Sequence, residues 1–176
     1  ACRAQHAEHA TIILWGANDW SQIGRLEAHN LTVTQMAFSP DGRKLVSVSR
    51  DRTWAVHETV ESDGKLTLTT VAKGSGGSRI LWSCHWSHDS RFFVTGSRDK
   101  SVTVWEQRGD TYKPSGKPLE CKESVTAVSF CPVPLSDGVY VVAVGQDDGQ
   151  VLLFSWTCQA VDSSSQWNPV ASLDRR

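Results

Sequence analysis

The chain has no C-x-x-C pair, no long apolar run and almost no net charge. Its five cysteines stand at 2, 84, 121, 131 and 158. The count is odd and the spacing suggests no oxidised pairing, so reduced thiols, as in the cytosol or nucleus, are the default expectation. Lys and Arg number 18 against 19 Asp and Glu, a formal net charge of −1. No global field therefore draws the chain to nucleic acid or to a membrane. No apolar run approaches the ~18 residues of a spanning helix, and Val139 to Val144 is among the longest. The first residues, Ala1 to His6, have no apolar core of a signal peptide. The chain opens without Met, which fits a fragment or a processed product.

Reactive motifs are absent as well. There is no G-x-S-x-G, no H-E-x-x-H, no P-loop, and no G-x-G-x-x-G after a strand. Catalysis is not expected, nor a cofactor or a small-molecule substrate. Cys2, His6 and His9 form a C-x3-H-x2-H spacing, which matches no closed zinc pattern. His85 and His88 bracket a strand end and read as turn residues. Cys84 lies between Trp82 and Trp86 in an apolar strand, where a small buried hydrophobe is the natural reading.

What the chain does have is tryptophan, eight of them, and a repeat. Ser49-Arg50-Asp51-Arg52-Thr53-Trp54 returns 48 residues later as Ser97-Arg98-Asp99-Lys100-Ser101-Val102. A fixed period in this range means stacked copies of one supersecondary unit. In the second copy, Arg79 to Ser87, Arg91 to Ser97 and Ser101 to Glu106 read as three strands, rich in aromatic and β-branched residues. A fourth falls within Thr111 to Glu120, where Pro114 and Pro118 suit an edge.

Other copies align with it. Phe38, Trp86 and Phe130 close the first strand of each, and Asp51, Asp99 and Asp148 mark the next turn. From each Asp to the end of its third strand is six residues, at His57, Trp105 and Phe154. An insertion, Pro132 to Gly138, lengthens one loop of the last copy. Upstream, Thr11 to Trp15 reads as a third strand and Ser21 to Glu27 as its fourth. Gly74 to Ser78 reads as a flexible link between copies. It precedes no helix, so it lacks what a phosphate cradle needs. The polar stretch Val161 to Gln166 reads as a loop, and Trp167 to Leu173 as the opening of another strand.

Four short strands per unit at this period predict an all-β propeller, a partial arc of about three and a half four-stranded blades. The division is 1–28 for a half blade of third and fourth strands, 29–76 and 77–120 for two blades, and 121–176 for a blade with a polar tail. A propeller ordinarily closes with 4–8 blades, so both ends of the arc are expected to expose apolar faces.

Phe38-Ser39-Pro40-Asp41-Gly42, Gly96-Ser97-Arg98-Asp99 and Val102-Thr103-Val104-Trp105 resemble the WD-repeat family. The resemblance implies a four-member network in each blade: a His before the first strand, a Ser or Thr in the second, an Asp in the next turn and a Trp in the third. No copy is complete. One blade offers His29, Ser47 and Asp51, with His57 in the Trp position. The next offers Thr95, Asp99 and Trp105, with Gly77 in the His position. The last offers Asp148 alone, beside Cys121, Val144 and Phe154. On this reading Thr95 and Trp105 are the expected donors to Asp99.

More particular wording points within that family. Glu8 to Trp15, Leu31 to Pro40, Ser49 to Trp54, Ile80 to Trp86, Thr95 to Lys100 and Tyr140 to Gly145 resemble the Elongator second-subunit family, in the later part of the second of two seven-bladed propellers. That resemblance implies a non-catalytic scaffold, cytoplasmic and nuclear, with other Elongator subunits as partners. It implies a role in tRNA wobble-uridine modification carried out by a different subunit, and a link to transcription. Arg50, Arg52, Arg98 and Lys100 flank the turn aspartates and form a candidate partner-binding rim. A weak tRNA contact through these four is the alternative. No aromatic residue interleaves these turns to stack a base. Trp54 follows Arg52 but is expected inside the third strand. A generic WD-repeat adaptor in another complex is a further alternative.

Overall fold

A computed structural model describes residues 10–62, 65–158 and 165–173. Every regular element in them is a strand. A hairpin of β1 (Ala10–Trp15) and β2 (Gln22–His29) precedes three antiparallel sheets. The first runs β3 (Val33–Phe38), β4 (Lys44–Ser49), β5 (Thr53–Ser62), β6 (Lys65–Ser75). The second runs β7 (Leu81–Trp86), β8 (Phe92–Ser97), β9 (Ser101–Arg108), and its fourth position is shared by β10 (Thr111–Pro114) and β11 (Leu119–Glu120), which both pair with β9. The third runs β12 (Val125–Phe130), β13 (Val139–Gln146), β14 (Val151–Cys158), β15 (Ser165–Leu173). This is an all-β propeller arc.

The split fourth strand of the second sheet follows from its prolines. Pro114 and Pro118 cannot donate to a ladder. The chain leaves β9 after Pro114 and rejoins it at Leu119, with Ser115 N donating to Val104 O at 2.8 Å between them. At the last edge Trp167 to Leu173 is a strand, as read: it is part of β15 and lies on β14, in the register Trp156 to Trp167 and Val151 to Leu173. The loop reading just before it is corrected. Ser165 and Gln166 belong to the same strand, whereas 161–164 lie outside the described residues. The third strands also run past His57, Trp105 and Phe154, because each hairpin extends its ladder into the fourth strand.

The core lies between sheets. Successive side chains of a strand point to opposite faces, and the middle sheet uses both. Phe92, Val94 and Val104 pack toward the third sheet, against Tyr140, Val142 and Trp156. Phe93 and Trp105 pack the other way, against Trp54, Trp86 and Tyr112. All six residues of β8 are buried. Trp54 contacts Phe93 edge-on at 5.4 Å between centroids and Trp105 at 5.1 Å. Aromatic pairs of this kind add about 0.5–1.5 kcal/mol beyond their buried area.

Polar ties cross the same seams. Trp86 Nε1 donates to Ala37 O at 3.0 Å, and Thr34 Oγ1 to Leu81 O at 2.6 Å. His85 is no turn residue: it sits in β7 and its Nδ1 accepts from Phe130 N at 3.1 Å. Tyr140 reaches across to donate to Asp89 Oδ2 at 2.8 Å. Cys84 is buried in the first seam, and burial pushes its thiol far up.

Gly74 to Ser78 is no loose link. Gly74 and Ser75 belong to β6. A Cβ on Gly74 would lie 2.4 Å from Trp54 Cζ2, and one on Gly76 2.5 Å from Leu81 Cδ1. These glycines let the backbone close over the core, which a side chain would forbid.

Gly74→Ala should therefore destabilise the protein by about 1–3 kcal/mol, the usual cost of overpacking. Thermal melting checks this, and an unchanged midpoint would show that the Trp54 ring yields freely. At the other end of the arc, β1 pairs only with β2 among the described residues. Trp15 and Phe38 there are 54% and 56% exposed. The chain produced alone should self-associate and bind a hydrophobic dye, whereas a clean monomer with a concentration-independent melt and no dye signal would contradict this.

Candidate functional site

Each four-stranded sheet turns from its second to its third strand in the same way. The first turn residue ties back to the loop before the blade: Arg50 N to Thr32 O at 3.0 Å, Arg98 N to Ile80 O at 2.9 Å, Asp147 N to Ser124 O at 2.9 Å. The third closes a tight turn: Arg52 N to Ser49 O and Lys100 N to Ser97 O, both at 3.2 Å, and Gly149 N to Gln146 O at 3.0 Å. That third residue has positive φ in all three, 71° at Arg52, 72° at Lys100 and 86° at Gly149. Glycine takes this conformation freely, while the other two adopt it at a steric cost that the turn imposes.

The middle residue of each turn is an aspartate, and its surroundings differ from blade to blade. Asp51 accepts from Asn30 N at 2.8 Å, Thr53 N at 2.9 Å and Thr53 Oγ1 at 2.6 Å, and lies 3.4 Å from His29 Nδ1. Burial raises its carboxyl, but these bonds outweigh burial and leave it below the usual carboxylate value. His29 Nε2 meets Ser47 Oγ at 2.8 Å, and Ser47 Oγ meets His57 Nε2 at 2.9 Å. So His57 occupies the Trp position and also takes its hydrogen-bonding role.

In the second sheet Asp99 does not reach Thr95 or Trp105. Those two bond to each other, Trp105 Nε1 donating to Thr95 Oγ1 at 2.9 Å. Asp99 accepts instead from Ser78 N at 2.7 Å, Ser78 Oγ at 3.1 Å, Ser101 N at 3.2 Å and the Ser101 hydroxyl. Ser78 N and the Ser101 amide and hydroxyl match the Asn30 N and Thr53 donors of Asp51. What Gly77 removes is the imidazole, and a Cβ there would lie 2.7 Å from Asp99 Oδ2.

In the third sheet Asp148 accepts from Gln150 N at 3.0 Å. The inward bond falls to a residue that sequence reasoning missed. Buried Gln146 accepts from Glu123 N at 3.1 Å and donates to Gln150 Oε1 at 3.1 Å. Gln146 stands two residues before the turn Asp, as Ser49 and Ser97 do, and that spacing was its only signal.

The turn side chains outside this network face solvent. Arg50, Arg52, Arg98 and Lys100 are all exposed. Lys100 donates to Lys122 O at 2.6 Å and lies 3.4 Å from Glu123. That exposed pair is worth little energetically but occupies the ammonium. Arg50, Arg52 and Arg98 make no ion pair among the described residues. The third turn is acidic, with Asp147 and Asp148 both exposed. A groove of about 480 Å³ joins the second and third turns, lined by Trp82, Arg98, Ser124, Thr126 and Asp147. Trp82, Thr34 and Thr126 hold the same place, at the register shift in the first strand of each sheet. Both threonines donate to a neighbouring strand carbonyl, Val48 O and Gly145 O. Trp82 stands where they do and, with Thr126, lines the groove.

Among the described residues, no group of three or more His, Cys, Asp or Glu is placed to hold a metal. Cys2, His6 and His9 lie outside those residues.

With the turns and the inter-sheet core in view, the comparisons can be placed. The family described as WD domain, G-beta repeat matches residues 20–58 and 65–106. WD repeats are thus detected over these two stretches. It is similar to Elongator complex protein 2 of Rattus norvegicus, 45% identical over 171 residues, covering 89% of this chain and 21% of that protein. Elongator complex protein 2 of Homo sapiens is 44% identical over 170 residues, covering 89% and 21%. That of Danio rerio is 40% identical over 191 residues, covering 99% and 23%. The chain thus spans about a fifth of the length of these relatives.

Asp99→Ala should destabilise this WD-repeat chain by about 1–3 kcal/mol, because it strips the partner from Ser78 and Ser101 donors beside the turn. Arg98→Ala should stay within about 0.5 kcal/mol, as surface changes do. Melting midpoints check this, and equal shifts for the two variants would contradict it.

Proposed function

We propose that this chain is a non-catalytic docking arc of an Elongator-type complex, using its turn rim to hold other subunits. One observation carries the reading. Arg50, Arg52 and Arg98, which make no ion pair among the described residues, are exposed on turns whose backbones are tied down on both sides. A backbone already held leaves less to order on binding. The basic turns of the first two sheets and the acidic turn of the third give the rim a charge pattern, which favours one docking orientation over others. The proteins it resembles carry the Elongator name, and support for tRNA wobble-uridine modification and transcription, in cytoplasm and nucleus, comes to this chain through that likeness.

A second reading keeps the same arginines and gives them RNA phosphates. Their lack of carboxylate partners favours it. The acidic third turn weighs against it, while Trp82, which lines the groove with Arg98, is an aromatic on that face.

Charge reversal separates the two. Arg50→Glu with Arg98→Glu should reduce capture of at least one partner subunit by tenfold or more, about 1.4 kcal/mol, with the melt unchanged. Undiminished capture of every subunit would exclude this face. If the arginines meet tRNA instead, affinity should fall steeply with salt and lose slope in the same variant. No binding, or a flat salt response, would end that reading.

A further inference from the structure

The first four-stranded sheet buries two histidines around one serine. His29, Ser47 and His57 are all buried, in β2, β4 and β5. Four contacts link them into a line: His29 Nδ1 to Thr53 Oγ1 at 2.9 Å, His29 Nε2 to Ser47 Oγ at 2.8 Å, Ser47 Oγ to His57 Nε2 at 2.9 Å, and His57 Nδ1 to Thr70 Oγ1 at 2.9 Å. Thr53 Oγ1 then meets Asp51 Oδ1 at 2.6 Å. The line runs from the rim turn through the sheet to its fourth strand.

Counting donors orients it. Asp51 only accepts, so Thr53 spends its one hydroxyl proton on Asp51 and must accept from His29 Nδ1–H. His29, when neutral, then has a bare Nε2, which Ser47 fills with its own proton. Ser47 accepts from His57 Nε2–H, and Thr70 donates to the bare His57 Nδ1. Every hydroxyl and ring nitrogen is used once, in one direction, toward Asp51. A proton added to His29 turns its Nε2–H onto Ser47 and makes His57 change tautomer to accept the Ser47 proton. Once both rings carry a proton, both Nε2–H groups point at Ser47, whose own proton must turn to Ala55 O, 3.5 Å away, at the limit of a useful bond.

The other sheets lack this line. The second has an indole, which does not titrate, at Trp105 and no ring at Gly77. The third has Phe154 and Cys121 in those places.

We propose that the two-histidine line is an acid-responsive catch, which holds the Arg50–Arg52 turn and the first blade together when both rings are neutral and loosens them as the rings take up protons. The catch acts whether or not the rim binds a partner. The groups facing it agree with this direction. Asp51, in the turn between β4 and β5, favours a proton on His29, while Lys73 of β6, held on Ala28 O at 2.6 Å, opposes one. Each ring also faces the other. Burial outweighs Asp51, so His29 lies below the ordinary histidine value. Burial, with His29 nearby, brings His57 down to about 4.

The sign follows from proton counts. An opened His57 binds a proton near 6.5, while the closed one refuses it until about 4, and His29 shifts in the same direction. Between those values the opened form holds more protons, so closure weakens as pH falls. The rim carboxylates act elsewhere: Asp51 lies below 3.8 when closed, so its contribution is lost only in stronger acid.

Hydrogen exchange on the intact polypeptide, from about pH 7 to about pH 5, tests this. Protection factors for β4 and β5 amides are compared with those of β13 and β14, which carry no histidine, in the same molecule, after correction for chemical exchange. The first-sheet amides should lose protection by up to about tenfold per pH unit for each ring held neutral, with the third-sheet amides flat. Parallel changes in both sheets, or none in the first, overturn the proposal. His57→Trp supplies a second arm, because Trp105 shows that an indole reaches the matching hydroxyl. The variant should keep its protection at neutral pH and lose part of the pH slope. An undiminished slope in a folded variant also overturns it, and should the variant fail to fold, the comparison within the native molecule decides alone.

Discussion

The arc depends on the middle sheet being buried on both faces. Phe92 and Phe93 are neighbours in sequence, yet they belong to different cores. That is the pleat of a strand used twice. Each seam is filled by aromatic rings meeting at edge and tilted angles, and each is tied by bonds such as Trp86 to Ala37 and Tyr140 to Asp89. No sheet here owns a complete core. Stability is a property of neighbours in contact, as in other stacked repeats, and the rim is rigid because the sheets beneath it are.

The three turns meet one backbone demand in three ways. Each needs an amide tied to the preceding loop, a residue at positive φ and an inward acceptor for a loop amide. The backbone bonds recur almost unchanged. The acceptor varies: Asp51 beside His29, Asp99 beside Gly77 with no imidazole, and Gln146 in place of Asp148. A buried amide hydrogen must be satisfied, and which side chain satisfies it matters less. This is how the network loses family members without losing the turn, and how the first sheet gains a pair of buried histidines.

Strand placement was legible because it is local. Alternation and turn chemistry placed β7, β8 and β9 within a few residues of their ends, and the prolines marked the edge that splits. The link at Gly74 to Ser78 was misread, because glycine content signals freedom only where space is open. Trp54 and Leu81 occupy that space here, and neither is a sequence neighbour of its glycine. Likewise, Asp99 was matched to Thr95 and Trp105 by family pattern, while those two bond each other and the carboxylate takes loop and turn donors. Gln146 and His85 were missed because each bonds to a loop or blade reached only after folding.

The amino-acid order alone determined the repeat, the four-stranded unit and the residues at each turn, since these follow from periodicity and backbone preference over a few residues. Tertiary structure alone decided which faces meet, which arginines stay unpaired and which rings share a proton line. Those depend on distances between residues tens of positions apart, which packing sets and local propensity does not.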